Sequence, residues 1–210
     1  MIKILIVDDH PLIREGLKKI LQTEMDFVVV GELARGSEVQ EFIKNKTCDL
    51  IILDINLPGR NGLDVLKDVK ALQPDISVLM LSILPEEQFA VRAIRAGAAG
   101  YITKDGAPEE LIRAIRKIAS GRRYVSEQLA ENLALDISFK SDKLLHERLS
   151  DREFQILLLI GSGKSTKEIA RLLLISQSTV NTYKSRIFEK MALKTTGQLI
   201  HYVFKNELLT

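Results

Sequence analysis

The sequence predicts an α/β protein, in which a doubly wound, five-stranded parallel sheet precedes a small all-α domain of four helices. Over the first 120 residues, short apolar runs alternate with segments whose apolar residues recur at i, i+3 and i+4. The runs are apolar throughout, which indicates strands covered on both faces and joined by right-handed helical crossovers. After residue 149, only the helical spacing continues.

Five β-branched runs of the first region are the predicted strands. Their predicted bounds are Ile2–Val7, Phe27–Leu33, Leu50–Leu53, Ser77–Leu81 and Gly100–Thr103. The helix after the last strand is predicted over Pro108–Ser120, before Gly121. In an open parallel sheet, ligands bind outside the carboxyl ends of the strands. Residues that directly follow these runs are therefore candidates for a functional site.

Hydroxyl residues of the kind that cap helices precede each apolar segment after residue 149. The capping candidates are Ser150 with Glu153, Ser165 with Glu168, Ser176 or Ser178, and Thr195 or Thr196. Four short helices match a helix-turn-helix unit with supporting helices. The predicted domains are therefore residues 1–121 and 147–210, and residues 122–146 are predicted to form a partly helical linker.

Charge and composition restrict the partners of the two domains. The 210-residue chain has a net charge of +2, with a balance of −2 over residues 1–146 and +4 over residues 147–210. This asymmetry favours an anionic partner for the second domain. The single cysteine, Cys48, excludes an internal disulfide framework. No apolar stretch is long enough to span a bilayer, and no signal peptide is evident, so a cytoplasmic protein without a membrane partner is expected.

Asp54 ends the third apolar run, and an aspartate there can accept a phosphoryl group as an acyl phosphate. Two anions repel each other during such an attack, so a hard divalent cation, Mg²⁺, would be needed. Asp8 and Asp9 follow the first run and would supply carboxylates for it. The backbone carbonyl of Asn56 is a further candidate ligand.

Lys104 and Ser82 follow two other predicted strands. Lys104 would neutralise a phosphoryl oxygen, and Ser82 would donate a hydrogen bond to another. Each residue taken alone could simply terminate a strand. An acidic pair, a lone aspartate, a hydroxyl and a lysine at four strand ends are much harder to obtain by chance.

Residues 1–121 resemble a response-regulator receiver domain. The matching stretches are Asp8-Asp9-His10-Pro11, Leu53-Asp54-Ile55-Asn56-Leu57-Pro58 with Gly62, Leu81-Ser82, Ala96-Gly97-Ala98-Ala99-Gly100-Tyr101 and Thr103-Lys104. The resemblance implies the flavodoxin-like fold and phosphorylation of Asp54 by a sensor histidine kinase. It also implies Mg²⁺ binding at Asp8, Asp9 and Asp54. Finally, it implies switching roles for Ser82 and Tyr101.

Residues 149–209 resemble a LuxR-type DNA-binding domain. The matching stretches are Gly163-Lys164-Ser165-Thr166-Lys167-Glu168-Ile169-Ala170, Ile175-Ser176-Gln177-Ser178-Thr179-Val180 and Lys190-Met191. Together, the two halves resemble response regulators of the NarL/FixJ class, and the run 182–186 is most similar to the BvgA/EvgA-like branch. The run 159–166 is similar to a P-loop, but Leu158 stands where that motif needs glycine, which excludes the P-loop interpretation.

The third helix of this domain would enter the major groove of DNA. The residues expected to face the domain core are Val180, Ile187, Phe188 and Met191. Asn181, Thr182 and Ser185 lie on the other side and would read base edges. The candidate phosphate contacts are Lys167, Thr179, Lys184, Arg186, Lys190 and Lys194. Asn181 and Tyr183 depart from the lysine and histidine common in the family, and Asn181 is a candidate for an altered sequence preference.

The sequence therefore favours a transcription regulator that is switched by phosphorylation. A homodimer on promoter DNA is expected, and RNA polymerase is a further candidate partner. The alternative is an enzyme, a phosphatase or phosphotransferase, that uses Asp54 as a phosphorylated nucleophile. Such an enzyme needs a positioned acid or base for turnover. Haloacid-dehalogenase-like enzymes carry a second aspartate two residues after the nucleophile, where this chain has Asn56.

Overall fold

The computed structural model describes residues 1–83, 86–126, 129–130, 144–206 and 208–209, with the backbone alone for residues 86–88. The chain divides into two compact units, Met1–Ser138 and Phe139–Thr210. The predicted fold class is confirmed, because a parallel five-stranded sheet with helices is followed by a helical unit. Most of the predicted linker lies outside the described residues.

The sheet of the first unit has the strand order β2-β1-β3-β4-β5, and every pair is parallel. The strands are β1 Ile2–Val7, β2 Phe27–Leu33, β3 Leu50–Asp54, β4 Ser77–Ser82 and β5 Gly100–Thr103. β3 and β4 run one residue further than predicted, because Asp54 pairs with Leu81 and Ser82 pairs with Thr103. The predicted site residues therefore stand at the ends of paired strands.

Helices connect the strands and cover the sheet. They are α1 Pro11–Leu21, α2 Val39–Asn45, α3 Gly62–Leu72, α4 Glu86–Arg95 and α5 Pro108–Ala119. α5 ends one residue before its predicted end, because Ser120 is its C-cap. β1 and β3 lie inside the sheet, and residues 4–7 and 50–53 are at most 1% exposed. This burial explains why their sequences are apolar without alternation.

The chain remains attached to the sheet after α5. The Tyr124 N–H donates to the Ala99 carbonyl at 2.8 Å, and Tyr124 forms a parallel bridge with Gly100. A Cβ atom on Gly100 would lie 2.9 Å from the Tyr124 carbonyl oxygen, so this approach needs glycine. The Tyr124 hydroxyl donates to Glu110 Oε1 at 3.0 Å. The first residues of the predicted linker thus pack on the edge strand β5.

A short 3-10 helix, Leu145–Arg148, and four α-helices form the described part of the second unit. The α-helices are α6 Asp151–Gly161, α7 Thr166–Leu172, α8 Gln177–Met191 and α9 Thr196–Lys205. Their N-caps are Ser150, Ser165, Ser176 and Thr195, which decides between the paired candidates at the last two. Val180, Ile187 and Met191 of α8 are buried as expected, whereas Phe188 is only half-buried. Among the described residues, no helix combines the length and apolarity of a bilayer span.

Candidate functional site

The carboxyl ends of β1, β3 and β5 bring three predicted site residues into contact. Lys104 Nζ lies 2.7 Å from Asp54 Oδ2 and 2.6 Å from Asp8 Oδ2. Both carboxylates are 1% exposed, and the Lys104 side chain is 8% exposed. We call Asp8, Asp9 and Asp54 the acidic edge. Its ionic contacts are shielded from water, so they are stronger than surface ion pairs.

Burial sets the electrostatics of the acidic edge. It raises the pKa of Asp54, and the negative charge of Asp8 raises it further, against the opposing effects of Lys104 and the Asn56 N–H. Burial lowers the pKa of Lys104, but the contacts with Asp54 and Asp8 outweigh this and raise it overall. Lys104 is therefore a permanent cation at neutral pH. Lys104 contacts two carboxyl groups, and Asp9 adds a third carboxyl group to the acidic edge.

The acidic edge has the chemistry of a cation site. Asp8, Asp9, His10 and Asp54 each offer a ligand atom, and these atoms lie within 4.8 Å of one another. Asp8 Oδ2 and Asp9 Oδ1 are buried; Asp8 Oδ2 lies 2.6 Å from Lys104 Nζ, and Asp9 Oδ1 lies 2.9 Å from His10 Nδ1. Buried oxygens without full partners fit a hard divalent cation, which takes oxygen ligands.

The other predicted residues of this site occupy distinct positions. The Asn56 N–H donates to Asp54 Oδ1 at 3.1 Å. Ser82 is fully buried at the end of β4, and its carbonyl accepts from the Lys104 N–H at 2.7 Å. Tyr101 is 1% exposed on β5, where it pairs with Met80. Ser82 and Lys104 are thus neighbours through the backbone, and Tyr101 lies within the same strand pair.

Two residues beside the site make close contacts with its backbone that the sequence did not predict. A Cβ on Gly62 would clash with the Asp54 carbonyl oxygen, so only glycine lets the start of α3 pack against β3. Arg14 Nη1 donates to the Asp8 carbonyl at 2.6 Å. In the sequence, Gly62 stood out as part of a receiver-like stretch, and Arg14 was not identified. Its only signal was a basic residue one helical turn after the acidic pair.

The predicted base-reading face of α8 is accessible. Asn181, Thr182 and Ser185 are exposed, and the Thr182 hydroxyl donates to the Ser178 carbonyl at 3.0 Å. Thr179 is half-buried at the first turn, where its hydroxyl is 2.8 Å from Ser176 Oγ. The face therefore presents amide and hydroxyl groups of the kind that read base edges.

Cations lie beside this face. Lys184 Nζ is 5.7 Å from the Phe188 ring centroid, and Arg186 Cζ is 5.9 Å from that of Tyr183, which is half-buried. Lys167 and Lys194 are exposed on α7 and after α8. Arg186 is exposed as well, and Lys184 is half-buried, so these four of the six predicted phosphate contacts keep exposed surface.

Lys190 differs from the other predicted phosphate contacts. Its Nζ lies 2.6 Å from Glu153 Oε2, and the Glu153 side chain is only 3% exposed. The same oxygen accepts from the Ser150 N–H at 2.8 Å, within the capping box of α6. Burial raises the pKa of Glu153, but Lys190 and Ser150 outweigh it and lower the pKa overall. This pairing argues against the predicted phosphate contact of Lys190.

Comparison with known proteins agrees with this arrangement. Residues 4–116 match the response regulator receiver domain, and residues 147–203 match the bacterial regulatory proteins of the luxR family. The response regulator UvrY of Escherichia coli is 34% identical over 209 residues, which cover 99% of this chain and 96% of UvrY. The response regulator GacA of Pseudomonas aeruginosa is 38% identical over 201 residues, covering 95% and 94% of the two chains.

A solved structure of RcsB from Salmonella enterica serovar Typhimurium shares the fold. Its TM-score is 0.64 at 24% identity, and the match covers 97% of this chain and 98% of RcsB. The matched family models correspond to the two units, with the acidic edge in the first and α8 in the second. The chain therefore belongs to the response regulators of two-component systems, and within them to the NarL/FixJ class, which joins a receiver domain to a LuxR-family regulatory domain.

Proposed function

We propose that Asp54 receives a phosphoryl group from a sensor histidine kinase and thereby controls DNA binding by the second unit. The observation that carries the proposal is the contact of the Asp54 carboxylate with Lys104 at the buried carboxyl edge of the sheet. In this reaction an Asp54 oxygen attacks phosphorus, and the bond from phosphorus to the histidine nitrogen of the kinase breaks. Lys104 neutralises a phosphoryl oxygen as the charge moves onto Asp54.

Mg²⁺ is the proposed cofactor. Asp8, Asp9 and Asp54 would hold it with carboxylate oxygens, and Asn56 with its backbone carbonyl. Asp8 Oδ2 and Asp9 Oδ1 are buried, and each has one nitrogen contact and a second lone pair, which supports this ligand set. When bound, the cation reduces the repulsion between the acidic edge and an incoming phosphate.

Ser82 and Tyr101 are the proposed switch. The Ser82 hydroxyl would donate to a phosphoryl oxygen on Asp54, and β4 would move with it. Support comes from the backbone link between Ser82 and Lys104, which ties β4 to the end of β5, the strand that carries Tyr101. The change would then reach the surface next to β5.

The stored phosphoryl group is proposed to be a signal and not a step of turnover. The residue two positions after Asp54 is Asn56, whose N–H donates to the Asp54 carboxylate. An amide in that place supplies no general acid or base for hydrolysis. The chain is therefore proposed to act as a regulator and not as an enzyme.

Labelling with acetyl phosphate and Mg²⁺ tests the acceptor. Intact mass should show one added phosphoryl group on the wild-type chain and none on Asp54→Asn. Asp49→Asn is the matched control, because Asp49 accepts from the Lys3 N–H before β3, away from the carboxyl edge. Label retained by Asp54→Asn would exclude Asp54 as the acceptor.

The second unit is proposed to bind promoter DNA with α8 in the major groove. Asn181, Thr182 and Ser185 would read bases, and Tyr183 would lie beside them. The proposed phosphate contacts are Lys167, Thr179, Lys184, Arg186 and Lys194. Most of these residues are exposed, whereas Thr179, Tyr183 and Lys184 are half-buried. This exposure and the positive balance of residues 147–210 support the proposal. Asn181→Ala should change base preference at one position of a selected site, and unchanged selectivity would remove its base-reading role.

The finer assignments are proposals as well. The receiver domain is proposed to span residues 1–121, the linker 122–146, and the DNA-binding domain 147–210. A homodimer on DNA is proposed, since two-fold sites mirror dimeric proteins, and RNA polymerase is a further proposed partner. A cytoplasmic location is proposed for the chain. The run 182–186 supports membership of the BvgA/EvgA-like branch.

A further inference from the structure

Arg14 binds the backbone of the acidic edge without belonging to it. Its Nη1 donates to the Asp8 carbonyl at 2.6 Å, and its side chain is 18% exposed. Glu32, at the end of β2, lies 3.7 Å from Arg14 Nε and 2.8 Å from Lys18 Nζ. The guanidinium is therefore held between α1, β2 and the end of β1.

The contact fixes the peptide that joins the two carboxylates. The Asp8 N–H donates to the Leu33 carbonyl at 3.1 Å, and Asp8 Oδ1 accepts from the His10 N–H at 2.8 Å. With Arg14 on the Asp8 carbonyl and Lys104 Nζ 2.6 Å from Oδ2, all four polar groups of Asp8 have protein partners. Asp8 Oδ2 and Asp9 Oδ1 each contact a nitrogen, that of Lys104 and that of His10, and each keeps a second lone pair with which to bind a cation. The Arg14 contact thus holds the peptide from which both carboxylates extend.

We infer that Arg14 is a positioning residue for divalent cation binding, acting through the Asp8 carbonyl and not through its charge. The inference rests on the proposed cation site. Groups behind the direct ligands commonly change metal affinity by about 10–100-fold when they are removed. A charge effect has the opposite sign, because removing a cation beside a metal site strengthens metal binding.

The test measures Mn²⁺ binding to the full-length protein, with the electron paramagnetic resonance signal of the free ion as the readout. Arg14→Met should bind Mn²⁺ about tenfold more weakly than the wild type. Arg14→Lys, which keeps the charge and one donor, should fall between the two. Lys19→Met is the matched control, because it removes the same charge from an exposed position of α1. Unchanged or tighter binding by Arg14→Met would overturn the inference.

A second measurement separates positioning from loss of the fold. The Mg²⁺ concentration that gives half-maximal labelling by acetyl phosphate should rise about tenfold in Arg14→Met, while the rate at saturating Mg²⁺ returns close to the wild-type value. A misfolded variant would not recover its labelling rate at any Mg²⁺ concentration. In that case Arg14→Lys carries the test, and a half-maximal Mg²⁺ concentration equal to that of the wild type would overturn the inference. Failure of the wild type itself to bind Mn²⁺ would instead overturn the proposed cation site, and the inference with it.

Discussion

Replacing Lys190 with glutamine tests whether Lys190 stabilises the fold by pairing with Glu153 or contacts a DNA phosphate, two roles that the sequence alone could not distinguish. Lys190 Nζ lies 2.6 Å from the Glu153 carboxylate, which is 3% exposed. The substitution leaves this charge buried and bound by the Ser150 N–H. A hydrogen bond to a charged group contributes about 1.5–3 kcal/mol to stability. The Lys190 side chain is 42% exposed, so solvent screening places the expected loss near the lower end of that range.

The effect on DNA binding should differ from that of a true phosphate contact. Each phosphate neutralised in B-DNA contributes about −0.9 to the slope of log K against log salt concentration. Lys184→Gln should therefore reduce the slope by about 0.9 in magnitude, whereas Lys190→Gln should leave it unchanged. The assay is fluorescence anisotropy on a random-sequence duplex at several salt concentrations, together with thermal unfolding of each variant.

The opposite pattern would refute the reasoning. If Lys190→Gln lowered the slope as much as Lys184→Gln and left stability intact, Lys190 would contact phosphate and its pairing with Glu153 would be dispensable. The pair also has a pH signature. The pKa of Glu153 is lowered in the folded protein, so the stability it contributes is present above the ordinary glutamate pKa and is lost as the pH falls below it.

Three further changes probe the acidic edge. Lys104→Met removes the cation between two buried carboxylates and should lower the unfolding free energy of the metal-free protein by about 3–5 kcal/mol, measured by urea unfolding in a chelator; unchanged stability would contradict the ion pairs. Burial raises the pKa of Asp54, so the folded state holds a proton that the unfolded state has already released. The free energy of unfolding should therefore fall as the pH rises from about 4 through the raised pKa. Asp54→Asn should remove this fall in thermal unfolding of the metal-free protein, and an unaltered pH profile would count against the buried Asp54 carboxyl group. Gly62→Ala places a Cβ against the Asp54 carbonyl oxygen and should abolish acetyl phosphate labelling, whereas Gly16→Ala, which meets nothing within 4 Å, should label normally; normal labelling of both would show that the loop adjusts.

The acidic edge could be predicted because a parallel sheet turns order along the chain into neighbourhood in space. Strands that point the same way deliver their carboxyl ends to one edge, so the residues that end apolar runs must meet there. Lys104 and Asp54 are 50 residues apart and yet 2.7 Å from each other. The strand bounds could be predicted closely as well, because β1 and β3 are buried on both faces and their sequences are therefore continuous apolar runs.

The rest of the site depends on contacts that no local pattern encodes. Lys190 and Glu153 are 37 residues apart on helices whose packing the spacing alone does not define. Arg14 reaches back over one turn of α1 to a backbone carbonyl, which has no sequence signature. Tyr124 follows α5 and was predicted to lie in the linker, but a backbone hydrogen bond to Ala99 joins it to the edge of β5. Contacts of this kind become visible only when both elements are in place.

The central claim is that a phosphoryl group on Asp54 governs DNA binding by the unit that carries α8. The most direct measurement is genomic footprinting with the wild-type chain and with Asp54→Asn, each with and without acetyl phosphate and Mg²⁺. The account predicts protected sites whose occupancy changes on phosphorylation of the wild type and does not change for Asp54→Asn. The account would be contradicted if the wild type occupied its sites equally in both conditions while its intact mass showed the added phosphoryl group.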